Sequence, residues 1–182
     1  MQDFTRPSGR LRALPLGARI VYSVFLGFTL LGLGFTSWLT HDMVGIDLSR
    51  ANEYYAGETA IGEPEEPAGG PSLVLPPDAE NLAAFEPMPQ RKLLEITHFH
   101  LFSMSVYLLI LSHMYLLSRA GPKAKLAWVS MGSLGTLLHI AAPWLVARGL
   151  AGAVGFYGAS GALLLASYVV MSAVPLAEMW RR

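Results

Sequence analysis

The 182-residue chain contains no cysteine. That excludes disulfides, cysteine-ligated iron–sulfur clusters and covalent c-type haem attachment. A redox centre in this chain would have to be held by histidine, methionine or carboxylate. Charge is scarce as well. Charged residues make up 14% against 53% hydrophobic, a balance that suits a membrane protein better than a soluble enzyme. No basic stripe is interleaved with exposed aromatics, so nucleic acid is not an expected partner. No nucleophile motif, phosphate loop or inverted transporter repeat is evident, which leaves hydrolysis and transport without support.

What the chain has instead is long apolar runs. Crossing a hydrocarbon layer of about 30 Å at about 1.5 Å per residue takes about 20 apolar residues. Four stretches qualify: 19–40, 93–118, 126–147 and 151–177, the third interrupted near its end by Pro143. The expected fold is all-α, an integral membrane four-helix bundle. The first run, "RIVYSVFLGFTLLGLGFTSWLT", exceeds a signal-peptide core of roughly 7–15 residues. "SWLTHD" is a poor cleavage site, so this run reads as a retained anchor.

The zero net charge conceals a segregation. Arg6, Arg10, Arg12 and Arg19 belong to the N-terminal region, where 1–18 form a basic tail. Arg119, Lys123 and Lys125 belong to the 119–125 loop, and Arg181 and Arg182 to the 178–182 tail. With four crossings these nine basic residues share one side, which the positive-inside rule makes cytoplasmic. Both termini are then cytoplasmic. The 41–92 segment lies outside, with ten acidic residues against three basic ones. Its middle, "GEPEEPAGGPSLVLPPDAE", favours extended loop over packed core. It reads as a solvated face, or as a docking surface for a basic partner. Within it, "DLSRANEYYAG" predicts a short interfacial helix, capped by Asp47 or Ser49, stopped by Gly57, with Tyr54 and Tyr55 at headgroup level.

Ionisable side chains are costly in hydrocarbon and usually have a function there. This topology puts His41 at the outer end of the first span, His98 and His100 in the first turns of the second, and His139 one turn before Pro143 near the outer end of the third. Only His113, about 22 Å below His98 by helical rise, approaches the inner face. A lone histidine at a helix end snorkels or bonds a carbonyl. Four at one depth on three spans point to a shared site. At about 100° per residue His98 and His100 point about 160° apart, so only one of them can face the bundle interior. His98 shares a stripe with Phe102, Ser105 and Leu109, and His100 with Met104, Tyr107, Leu111 and Met114.

A haem b meets these constraints best, because two axial imidazoles from facing helices at one depth hold it without covalent links. His98 or His100 opposite His139 is the expected pair, with His98 and His139 as the metal ligands and His41 as substitute. His113 is left for a propionate, a quinone carbonyl or Ser130. One haem per chain is expected, since the inner face offers only Met131 as a second ligand. Glycines 152, 155, 158 and 161 in the fourth span, with Gly132 and Gly135 in the third, would admit a flat ring or simply pack helices closely. A copper or zinc site is the chemical alternative. Glu95 and His98 have Glu-x-x-His spacing, and His98-x-His100 with His41, Asp42 or Met104 would be the donor set. Glu95 is also the nearest ionisable group to act as a proton acceptor for a quinol.

"EYYAGE" followed by "LLEITHFHLFSMSVYLLILSHMYLL" resembles a group of small bacterial four-span membrane proteins. Their second span opens with a Thr-His-x-His-Leu-Phe motif. The likeness is strongest over 54–57 and 93–118, and His98 and His100 match the motif. More loosely, the chain is similar to four-span b-type cytochromes with bis-histidine haem, without the paired histidines on two helices of the two-haem members. The resemblance implies a membrane partner of electron-transfer systems containing c-type cytochromes, in the bacterial inner membrane. Its expected partners are the lipid bilayer, other membrane subunits, a c-type cytochrome and a quinone. A haem-free scaffold subunit is the alternative function.

Overall fold

The computed structural model describes residues 9–45, 48, 50–57 and 88–181. The proline- and glutamate-rich stretch 58–87 lies outside them, as do Asp47 and Ser49. After a 3-10 turn at Gly9–Ala13, the chain forms α1 (Leu16–Val44), α2 (Ala51–Ala56), α3 (Gln90–Leu116), α4 (Pro122–Ala147) and α5 (Ala153–Trp180). Four of these helices are long and apolar enough to cross a membrane. They run 26 to 29 residues, about 40 Å each at 1.5 Å per residue, so they overhang a hydrocarbon layer of about 30 Å at both faces. The protein is a multi-pass four-helix membrane bundle.

Prolines mark the helix starts. Pro15 and Pro89 occupy the N-cap positions of α1 and α3, and Pro122 opens α4, where the missing N–H has no helical partner to lose. Pro143 does not end α4, which continues to Ala147. It does remove the N–H that would bond the His139 carbonyl four residues earlier. The turn between α4 and α5 needs left-handed backbone at Gly149 (φ 64°) and Gly152 (φ 79°), which glycine adopts without a Cβ penalty.

The α4–α5 hairpin is the centre of the bundle, with α1 packed mainly on α5 and α3 on both hairpin helices. Gly135 makes the hairpin tight: a Cβ there would stand 2.9 Å from the Leu164 backbone nitrogen. Close approach through small residues is how membrane helices gain contact when lipid is as apolar as their own side chains. By contrast α1 and α3 barely touch each other. They meet at Tyr107, whose ring packs on Phe25 with centroids 5.8 Å apart and whose hydroxyl lies 3.0 Å from Thr29 Oγ1. Thr29 spends its own proton on the Phe25 carbonyl at 2.9 Å, so Tyr107 donates to it. A matching pair sits across the bundle, where Thr136 Oγ1 donates to the Gly132 carbonyl at 2.8 Å and accepts from the Tyr168 hydroxyl at 3.0 Å. Tyr107 and Tyr168 stack at 6.4 Å, so this polar layer links all four long helices.

One end of the bundle is clamped by its charged side chains. Arg19 donates to the carbonyls of Leu14 and Arg12, and the Glu178 carboxylate accepts the Arg119 N–H at 2.8 and 2.9 Å. The buried Lys125 ammonium donates to the Leu116 carbonyl at 2.7 Å, serving the C-terminus of α3. Trp180 Nε1 donates to Ser23 Oγ at 2.7 Å, tying the end of α5 to α1. The start of α1 and the end of α5 therefore lie together at this basic end.

Candidate functional site

The other end of the bundle carries the histidines. His41 lies in the last turn of α1, His98 and His100 in the early turns of α3, and His139 two turns before α4 ends. His113 lies in the last turn of α3, at the basic end.

Helix α3 sorts its two motif histidines. Below His100, Met104 and Tyr107 are half-buried while Leu111 and Met114 are buried. His98 sits above Phe102 and Leu109, both exposed. The stripe containing His100 therefore faces the bundle and the stripe containing His98 faces away. The His98 ring rests on Phe102 at 5.1 Å and Phe99 at 6.0 Å.

His100 and His139 line one cavity of about 360 Å³, just above the point where Tyr107 joins α1 to α3. Tyr107 and Tyr168 line it too, with Thr29, Leu33 and Thr36 of α1. Ligand pockets measure about 300–1,000 Å³ and are mostly apolar with a few convergent polar groups, which describes this one. Of the two α3 histidines expected opposite His139, His100 shares this cavity with it, whereas His98 lies on the opposite side of α3 and lines neither this cavity nor its neighbour.

Both cavity imidazoles are held through Nδ1. His100 Nδ1 lies 2.8 Å from the Ile96 carbonyl, an acceptor only, so that nitrogen carries the proton. His139 Nδ1 lies 3.4 Å from Ser160 Oγ, which already donates its proton to the Tyr157 carbonyl at 2.9 Å and so accepts from the ring. In each neutral ring the lone pair is left on Nε2, the arrangement that metal-binding histidines use. His139 is further confined by Tyr157, at 5.1 Å between centroids, and by Gly161, where a Cβ would stand 3.3 Å from its Cε1.

A second cavity of about 300 Å³ adjoins the first, sharing Leu33, Thr36, His139 and Leu164 with it. His41 lines this second cavity, together with Tyr157 and the hydroxyl side chains of Thr40 and Ser37. His113 lines a third, larger cavity at the basic end, between the lower parts of α1 and α3.

The short helix α2 covers this end of the bundle. Its N-cap position is Arg50, without a side-chain cap, so the helix begins after the expected Asp47 or Ser49 caps; Gly57 ends it at φ 77°. Tyr55 packs against the bundle end. Its hydroxyl donates to that of Tyr157 at 3.4 Å, with Tyr54 edge-on at 4.9 Å. Burial first, then the neighbouring Tyr157 and Tyr54, push the Tyr55 phenol far above the ordinary tyrosine range. In the unfolded chain this phenol ionises near about pH 10. The folded form keeps its proton, so its contribution is intact below that pH and is lost as pH rises beyond it. The thermal unfolding midpoint of the purified protein should fall more steeply above about pH 10 than below it, and Tyr55→Phe should lessen that fall.

Glu95 pairs with Lys92 at 3.3 Å rather than joining His98 in a Glu-x-x-His site. Among the described residues no group of three or more histidine, aspartate or glutamate side chains could hold a metal ion. His98 and His100, the core of the copper or zinc alternative, point to opposite sides of α3.

Residues 45–182 match the sequence model of Aq_1264_TM, a transmembrane helical domain. The chain belongs to the Aq_1264_TM family. The Aq_1264_TM match spans α2 to α5, and so includes His98, His100, His113 and His139, while α1 with His41 precedes it. No curated protein matches the chain, and no solved structure does. Sequence reasoning did not single out Ser160, Tyr157, Tyr168 or Thr29 as parts of the site. For Tyr107 the signal was its i, i+7 register with His100; the others depend on contacts between helices.

Proposed function

We propose that this protein is a membrane subunit of a bacterial electron-transfer complex that holds a b-type haem between His100 and His139. In this reading it serves electron passage between the membrane quinol pool or neighbouring subunits and a periplasmic c-type cytochrome. The observation that carries it is the meeting of two imidazoles from different helices on one cavity, each with Nδ1 engaged and Nε2 left as a donor. The donor chemistry suits a haem iron, and the cavity lies where α1 and α3 part, next to Gly32, around whose Cα there is open space. A bound haem supplies a reversible one-electron couple. The chain's own residues would hold the ligands in register: Ser160 and Ile96 orient the imidazoles, while Leu164, Met104 and the stacked tyrosines line the cavity.

By the positive-inside rule the clamped basic end is cytoplasmic, which puts the histidine end at the periplasmic face. The acidic 58–87 stretch then lies on the side where a basic soluble partner would dock. The test is a reduced-minus-oxidised absorption spectrum of detergent-purified protein. Soret and α bands at one haem per chain are expected. A colourless protein would overturn the reading and leave a haem-free scaffold subunit. That second reading has one observation in its favour: the long flanks of α1 and α3 are almost wholly exposed, which suits contact with other membrane subunits.

A further inference from the structure

The second cavity has a chemistry of its own. Among the described residues no aspartate, glutamate, lysine or arginine lines it. An ionic ligand buried among them would lack a counter-charge, which is costly, so this lining favours a neutral occupant. Its walls are mostly apolar, with Leu33, Leu164 and Leu165, and its volume of about 300 Å³ has room for a single- or double-ring headgroup. The polar groups are hydroxyls and two imidazoles, His41 and His139. The Ser37 hydroxyl is spent on the Leu33 carbonyl at 2.9 Å. The His41 ring makes no hydrogen bond to any described residue, yet it lines the cavity while remaining exposed. It can therefore bond a ligand oxygen on one side and exchange its proton with water on the other. Glu95, paired with Lys92, lines neither cavity and does not fill that role.

A neutral, lipid-soluble ring whose oxygens accept or donate hydrogen bonds and exchange protons is a quinone or quinol. We propose that this second cavity, between α1 and α5, binds such a ring, with His41 bonded to a ring oxygen and the His139 imidazole forming the wall it shares with the first cavity. Ring binding stands by itself; its use as the electron source rests on the haem reading above.

Full-length protein in lipid nanodiscs, titrated calorimetrically with a decyl-benzoquinone and a methyl-naphthoquinone, tests the site. Saturable binding of at least one ring is expected for the wild type. Ala162→Phe, which fills the cavity from α5, should abolish it. His41→Ala should weaken it about tenfold, as loss of one ligand hydrogen bond does. Both variants should keep the wild-type haem spectrum, which shows that they fold. Failure of the wild type to bind either ring saturably, or undiminished binding by Ala162→Phe, would overturn the site. Saturable binding by a colourless protein would support the ring site and count against the haem alone.

Discussion

With the proposed haem in place, His100→Ala and His139→Ala should each strip the purified protein of its Soret band, whereas His98→Ala, His41→Ala and His113→Ala should leave it at full intensity per mole of chain. This is the expected result of the geometry, and it separates five histidines that composition treats alike. Only His100 and His139 line the cavity above Tyr107. Losing either would leave a haem held there with one protein ligand instead of two. Ser160→Ala should lower haem affinity by about 10–100-fold, the usual cost of deleting the group that orients a metal-binding imidazole. Gly161→Ala should act in the same direction, because its Cβ would press on the His139 ring at 3.3 Å. Absorption spectra normalised to protein would decide the matter. An unchanged Soret band in both His100→Ala and His139→Ala would remove the pairing, and loss in His98→Ala would move the site to the outward face of α3.

The second large effect concerns stability. Gly135→Ala should destabilise the bundle by about 1–3 kcal/mol, the range for forcing an extra methyl into packed space. The new Cβ would meet the backbone of Leu164 at 2.9 Å, and backbone cannot swing aside. The only relief is to separate α4 from α5, on which the other helices pack. Gly132→Ala is the internal control. There the nearest atom is the flexible end of the Met171 side chain at 2.8 Å, so a rotamer change should absorb the methyl at a cost below about 1 kcal/mol. Thermal unfolding in one detergent, followed by circular dichroism, compares the two. Equal destabilisation would mean that the hairpin is not held by backbone contact at Gly135. Because His139 lies one turn beyond Gly135 and Leu164 lines both upper cavities, Gly135→Ala should also weaken haem retention.

Much of the architecture was legible from hydropathy alone. The four membrane helices stand where the apolar runs stand, and the helix at 51–56 falls within the stretch marked by "ANEYYA" and Gly57. Helical phase also separated His98 from His100. What it could not provide was which of them faces inward. In water the buried face of a helix is its apolar face, but in lipid both faces are apolar, and the two stripes of α3 differ little in composition. Met104 and Leu111 on one side look no more buried in the sequence than Phe102 and Leu109 on the other. The direction is settled by where α4 and α5 lie, and that depends on Gly135 meeting Leu164, a contact between distant parts of the chain. For the same reason Ser160 was invisible as the partner of His139. Pro143 misled in the opposite sense: its ring suggested an interruption, yet neighbouring helices support α4 through it.

The junction of Tyr107 with Phe25 and Thr29 has a further consequence. It closes the seam between α1 and α3 at mid-height, leaving one opening above and another below. The bundle thus has two separate recesses along this seam, one toward each end, divided by a hydrogen-bonded tyrosine.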